Sequence, residues 1–193
     1  MEITLDSEIY KAIVETAGHE LYVATYSFQE FERNKSLLVS KQEEEIKRAC
    51  YISFSNFLRS LYEFYIAIIK IDFGNTKLPK SITIDEKIND AVQRLLNFYG
   101  PYYASKGLSI PSEVPHFFGR DFRNVRNRIS HADYRRMFPE LGSDETSLAE
   151  FYEKYWLYVR LLFEHPQFNW GGMHFKNSYR WDKIDCFVSV VMK

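Results

Sequence analysis

Apolar residues recur at spacings of three and four along most of this chain, the period of helices that bury one face. From Ser7 to about Asn34, Ile9, Ile13, Ala17, Leu21, Ala24 and Phe28 form one stripe with Glu20 inside it. Asp6 or Ser7 is the expected cap. Ser40 and Glu43 match a capping box, and Glu43, Glu44 and Glu45 put negative charge at a helix start. The helix they open is expected from Lys41 to about Asp72. Its second half is apolar nearly all round, which suits the central helix of a core.

Gly74 to Ser81 has the Gly, Asn and Pro content of a loop. Thr83 and Glu86 match a second capping box for a helix to about Ser105, with a kink or early end expected at Gly100-Pro101. Pro111 and Pro115 mark the following loop. A basic helix covers Arg120 to Arg136, Pro139 to Asp144 is a turn, and Ser147 with Glu150 opens a last long helix to Glu164. Beyond Trp170-Gly171-Gly172 the pattern changes. Phe187 to Met192 (FVSVVM) is rich in β-branched residues, so Met173–Lys176 and Lys183–Val191 are read as a small β-hairpin. The fold expected is all-α: an up-and-down bundle of about five helices over residues 1–168, with a small extension over 169–193 packed on it.

Composition changes this picture little. At 193 residues the chain is long enough for one well-buried core. Its 14 Tyr and 16 Phe point to bulky helix–helix contacts or an aromatic interface. Cys50 and Cys186 form no disulfide framework and no metal spacing. The start, MEITLDSEIY, lacks a basic-then-apolar signal pattern, and the apolar run Tyr65–Phe73 is broken by Lys70 and Asp72. A cytoplasmic setting with no membrane contact is the expectation. The histidines show no two-ligand helical spacing, so no metal and no cofactor are expected. His174 to Trp181 interleaves basic and aromatic residues, a mixture that can stack bases, but a hairpin packed on the bundle is the preferred reading.

Charge changes it more. The formal net charge is −1, yet RDFRNVRNRISHADYRR, residues 120–136, holds six arginines and two aspartates. Phe122, Val125 and Ile129 give this segment one apolar stripe. Arg123, Asn127 and His131 then share a row, with Arg126 and Ser130 on a neighbouring one. A guanidinium and an imidazole on one rigid element suit phosphodiester chemistry: the first neutralises phosphate charge, the second moves a proton near neutral pH. Arg126 and His131 are five residues apart, about 140° around an ideal helix, so one copy makes an open pair. Either a second copy completes the site across a two-fold axis, or the helix is distorted near Ser130. The bland alternative is a charged, solvated face. Glu63 stands in an apolar stretch (SLYEFY), where a carboxylate needs a partner.

Arg followed by His five places on arises by chance about 0.3 times in a chain with this Arg and His content; requiring Asn directly after the Arg lowers that to about 0.015. The string Arg126-Asn127-Arg128-Ile129-Ser130-His131 resembles the signature of the HEPN superfamily (higher eukaryotes and prokaryotes nucleotide-binding), and the helical order of residues 1–165 resembles it more loosely. The resemblance implies a metal-independent endoribonuclease of the toxin or defence type, acting as a homodimer on RNA, with an antitoxin partner in toxin-type members. It assigns Arg126 to the phosphate or transition state, His131 to general acid or base work, and Asn127 to orienting the site. The implied products are a 2′,3′-cyclic phosphate and a 5′-hydroxyl. Arg123, Arg128, Ser130 and Tyr134 are candidate RNA contacts. Glu63 is a candidate support for Arg126 or His131, or a structural ion pair with another helix arginine. Some members carry a tyrosine two residues after the His that a partner nucleotidyltransferase modifies; Tyr134 is one place late for that. The competing readings are a non-catalytic HEPN-like module that binds nucleotide, RNA or protein, and a plain helical oligomerisation domain.

Overall fold

The computed structural model describes residues 7–77, 80–130, 146–166 and 181–192. The chain is an all-α bundle. Among the described residues it has six helices: α1 (Ser7–Leu38), α2 (Glu44–Asp72), α3 (Ser81–Ser105), α4 (Phe118–Ser130), α5 (Leu148–Glu164) and α6 (Trp181–Val191). α1 and α2 are joined by five residues and share the most extensive contact among the described helices, an αα-hairpin. α2 is the central element. Leu58, Leu61, Phe64, Tyr65 and Ile68 are all but inaccessible, because α1, α3, α4 and α5 cover it from several sides.

Aromatic side chains fill the junctions. Phe28 and Phe31 of α1, Phe54 and Phe57 of α2, and Tyr152 and Trp156 of α5 form one cluster of tilted and edge-to-face pairs. A second joins Tyr62 of α2, Phe118 and Phe122 of α4, and Phe151 and Tyr155 of α5. Buried hydroxyls fix the relative heights of the helices. Tyr65 Oη donates to the Leu162 carbonyl at 2.9 Å, and Tyr155 Oη donates to Asp121 Oδ2 at 2.7 Å.

Of the three expected capping boxes, one forms. Ser147 Oγ accepts from the Glu150 amide, and Glu150 Oε2 accepts from the Ser147 amide. α2 starts at Glu44, later than expected, and Ser40 instead donates from Oγ to the Leu37 carbonyl at the end of α1. α3 starts at Ser81, before Thr83, and its cap residue Lys80 makes no side-chain bond. α3 also runs through Gly100-Pro101 to Ser105 instead of ending there.

The hairpin expectation is overturned in its second arm. Residues 181–191 are helix α6, and the side chains from Asp185 to Met192 are exposed. β-propensity expresses contact with neighbouring strands, so a β-branched run without them carries little information. The first arm, Met173–Lys176, lies outside the described residues. No described helix is long and apolar enough to cross a membrane.

Candidate functional site

The basic helix is positioned by a polar row on α3. Asp85, Asn89 and Gln93 follow one another at a spacing of four and so share a face. Gln93 holds the preceding loop: its Nε2 donates to the Ser112 carbonyl at 2.9 Å, and its Oε1 accepts from the Val114 amide at 3.0 Å. Asn89 holds the start of α4, donating to the His116 carbonyl and accepting from the Gly119 amide at 2.8 Å. Asp85 grips Arg123 through two parallel bonds of 2.9 Å. The helices meet closely at Gly119. A Cβ there would lie 2.3 Å from the Asp85 carbonyl oxygen, so a side chain at 119 would push α4 off α3.

The inward face of α4 is Phe118, Asp121, Phe122, Val125 and Arg128, at helical spacings of three, one, three and three. This face is rotated from the expected stripe. Ile129 is half-buried, and the polar pair Asp121 and Arg128 point inward. Asp121 survives burial because Tyr155 Oη and the Arg120 guanidinium bond to it. Arg128 donates from Nη2 to the Thr146 carbonyl, just before α5. Arg128, a candidate RNA contact, is thus buried and engaged within the bundle.

Arg126 lies on the opposite edge of that face. Its Nη2 is ion-paired with Glu63 of α2, its Nη1 donates to Asn127 Oδ1 at 3.0 Å, and its guanidinium carbon is 5.8 Å from the Tyr62 ring centroid. The side chains of Arg126 and Glu63 are 25% and 27% exposed, so the pair opens to solvent without being surrounded by it. The Arg126 Nε is buried with no hydrogen-bond partner among the described residues. Glu63 also lines a cavity of about 100 Å³ between α1 and α2, with Glu20 and Lys70. Tyr62 is held protonated: burial pushes its phenol far up, and the charge of Asp85 adds to that. The structure therefore brings Arg126, Asn127 and Glu63 together. It places Arg123 one turn away in its own pair with Asp85, leaves Ser130 exposed at the end of α4, and buries Arg128 elsewhere. His131 and Tyr134 lie outside the described residues.

A cleft of about 430 Å³ opens beside this helix, between α3 and α4. Its walls include Asp85, Glu86 and Asp90 from α3, and Phe117, Arg120 and Arg123 from the other side. The Arg120 guanidinium sits 4.1 Å from the Phe117 ring centroid. Of these, Arg123 was a candidate from the motif, whereas Asp85, Glu86, Asp90 and Phe117 were missed by motif reading. The spacing-of-four polar row Asp85, Asn89 and Gln93 on α3 is a signal that could have located this wall of the cleft. Among the described residues no group of three or more His, Cys, Asp or Glu side chains is placed to hold a metal ion.

No family model matches the chain, no curated protein is significantly similar to it, and no solved structure matches it.

Proposed function

We propose that this chain is a HEPN-type, metal-independent endoribonuclease of the toxin or defence class, with Arg126, Asn127 and His131 at its centre. The observation that carries this reading is the placement of Arg126. The arginine of the Arg-Asn-x-x-x-His string is gripped by Glu63 and Asn127 at a partly open junction of α2 and α4. A guanidinium fixed in this way presents a preorganised positive charge, which stabilises a phosphorane-like transition state without reorganising during reaction. In the reaction a general base takes the proton of the RNA 2′-hydroxyl. Its oxygen attacks the adjacent phosphorus, and the 5′-oxygen leaves with a proton from a general acid. His131 fills one of these roles. A second copy of the chain, in a homodimer with the two α4 helices facing, supplies the other. The site belongs to a cytoplasmic protein acting on RNA, with an antitoxin as the regulating partner.

The competing reading is a non-catalytic HEPN-like module that binds RNA, nucleotide or protein. It is favoured by one observation: Arg123 and Arg128 are already engaged within the chain, as structural arginines would be.

RNA cleavage in EDTA, comparing the natural protein with His131→Ala at matched folding, separates the two. Cleavage lost in the variant supports the nuclease. No cleavage of tRNA, rRNA or mRNA by the natural protein favours the binding module. Equal cleavage by both removes His131 from the mechanism.

A further inference from the structure

We propose that the cleft between α3 and α4 is a base-recognition pocket that seats a guanine of single-stranded RNA; this rests on the reading of the chain as an RNA-handling protein. The cleft is within the usual size range of small-molecule sites, roughly 300–1,000 Å³. It combines two features that bind an unstacked base. One is a stack of flat groups: the Arg120 guanidinium lies over one face of the half-exposed Phe117 ring, 4.1 Å from its centroid, and the His116 ring meets that ring edge-on at 4.8 Å. Unstacked RNA bases lie against such aromatic and guanidinium planes. The other is a set of acceptors. Glu86 and Asp90 are exposed on α3 and line the cleft, whereas Asp85 is taken up by Arg123.

Carboxylates accept but do not donate, which selects the base. Guanine offers one carboxylate two adjacent donors, N1–H and the N2 amino group, on its Watson–Crick edge. Adenine and cytosine offer one amino group beside an acceptor nitrogen, which a carboxylate repels. Uracil offers a single N–H between two carbonyls.

The pocket also has the right connection to the motif. Arg120, Arg123 and Asn127 lie at i, i+3 and i+7 on α4 and so share a face. The rise from Arg120 to Asn127 is about 10 Å along the helix axis. A base seated against Phe117 and Arg120 therefore lies on the α4 face that also carries Asn127, more than one nucleotide away from it. The pocket walls are rigid, since Asn89, Gly119 and the Asp85–Arg123 pair fix α3 against α4.

The test is equilibrium binding of two fluorescein-labelled hexanucleotides, UUUGUU and UUUAUU, to the full chain, each with 2′-O-methyl riboses so that the strand lacks the attacking hydroxyl and is not cut. The natural protein is expected to bind the guanine-containing strand about tenfold more tightly, the scale of one good bidentate base contact. The double variant Glu86→Gln, Asp90→Asn changes only exposed carboxylates and should bind both strands equally. Phe117→Ala should weaken both. Equal affinities in the natural protein, including no binding of either strand, overturn the proposal, as does a guanine preference that survives in the double variant. The outcome is separable from the nuclease reading. Arg126→Ala, which disables cleavage on that reading, should keep the preference. Guanine preference without cleavage of any RNA leaves the pocket standing and removes the nuclease, while cleavage without preference does the reverse.

Discussion

At the residue scale, the proposed function gives Arg126 a catalytic job beside its structural pairing with Glu63, and the two can be told apart. Arg126→Ala should lower cleavage on the order of 10²-fold or more, as the loss of a transition-state charge contact does. It should also cost about 1 kcal/mol of stability, because Glu63 is left in a partly desolvated position without its partner. Urea unfolding of Arg126→Ala, Glu63→Gln and the double variant would measure the coupling, expected at about 1 kcal/mol; additive single effects would show the pair to be indifferent. The contact was half legible in the sequence, since a lone carboxylate in SLYEFY requires a cation, and the structure selects Arg126. Arg128 was not legible. A charged residue in a basic run invites an outward assignment, but its stem shares a face with Val125 and its head reaches a backbone carbonyl. His165 is a separate residue-scale case. It closes α5, stacks on Tyr99 at 4.0 Å between centroids, and burial lowers its pKa from 6.5. The unfolded chain therefore binds this proton first as pH falls. The contribution is full above 6.5 and is lost as pH drops from there through the lower folded value. Stability measured between about pH 5 and 8 should fall toward acid less steeply in His165→Gln than in the natural protein. Parallel curves would show that His165 is equally easy to protonate in both states.

At the element scale, the sequence located helices better than their first residues. S/T-x-x-E describes a capping box only if the chain turns into a helix at that serine or threonine. Ser147 meets that condition. Ser40 does not, since α1 is still closing there, and Thr83 already lies inside α3. The consequence is measurable. Ser147→Ala should destabilise the fold by about 1 kcal/mol, and Ser40→Ala and Thr83→Ala by much less. Urea midpoints of the three variants would check this; equal losses would mean that the cap geometry contributes nothing particular. The Ser147 box also carries an electrostatic mark, because the Ser147 amide and hydroxyl together draw the Glu150 carboxyl below its usual range. α4 shows the opposite limit of sequence reading. Its helical period was plain, but its rotation about its own axis was set by partners far along the chain. Tyr155 and Thr146 turn Asp121 and Arg128 inward, and the Asp85–Asn89–Gln93 row fixes the other side. Local spacing says that a face exists, whereas neighbouring helices decide which face it is.

At the scale of the whole molecule, the all-α bundle was readable from periodicity alone, and the abundance of Phe and Tyr anticipated the aromatic junctions. The C-terminal segment was not readable, because among the described residues α6 has few of the neighbours that would make its pattern informative. Phe187, Val190, Val191 and Met192 are between 63% and 80% exposed. This gives the proposed dimer a sharp test. If two copies meet through α4, deletion of residues 186–193 removes no core and no interface. The truncated protein should then melt within about 2 °C of the natural one, since exposed side chains contribute little to stability. It should also sediment as the same dimer. Dissociation to a monomer on truncation, with the melting temperature maintained, would assign the dimer contact to α6 and leave the two α4 helices apart. In that arrangement one Arg126 and one His131, about 140° apart on their own helix, would have to act alone. A cleaving enzyme with that quaternary structure would require the helix to be distorted near Ser130, and the two-copy site would be withdrawn.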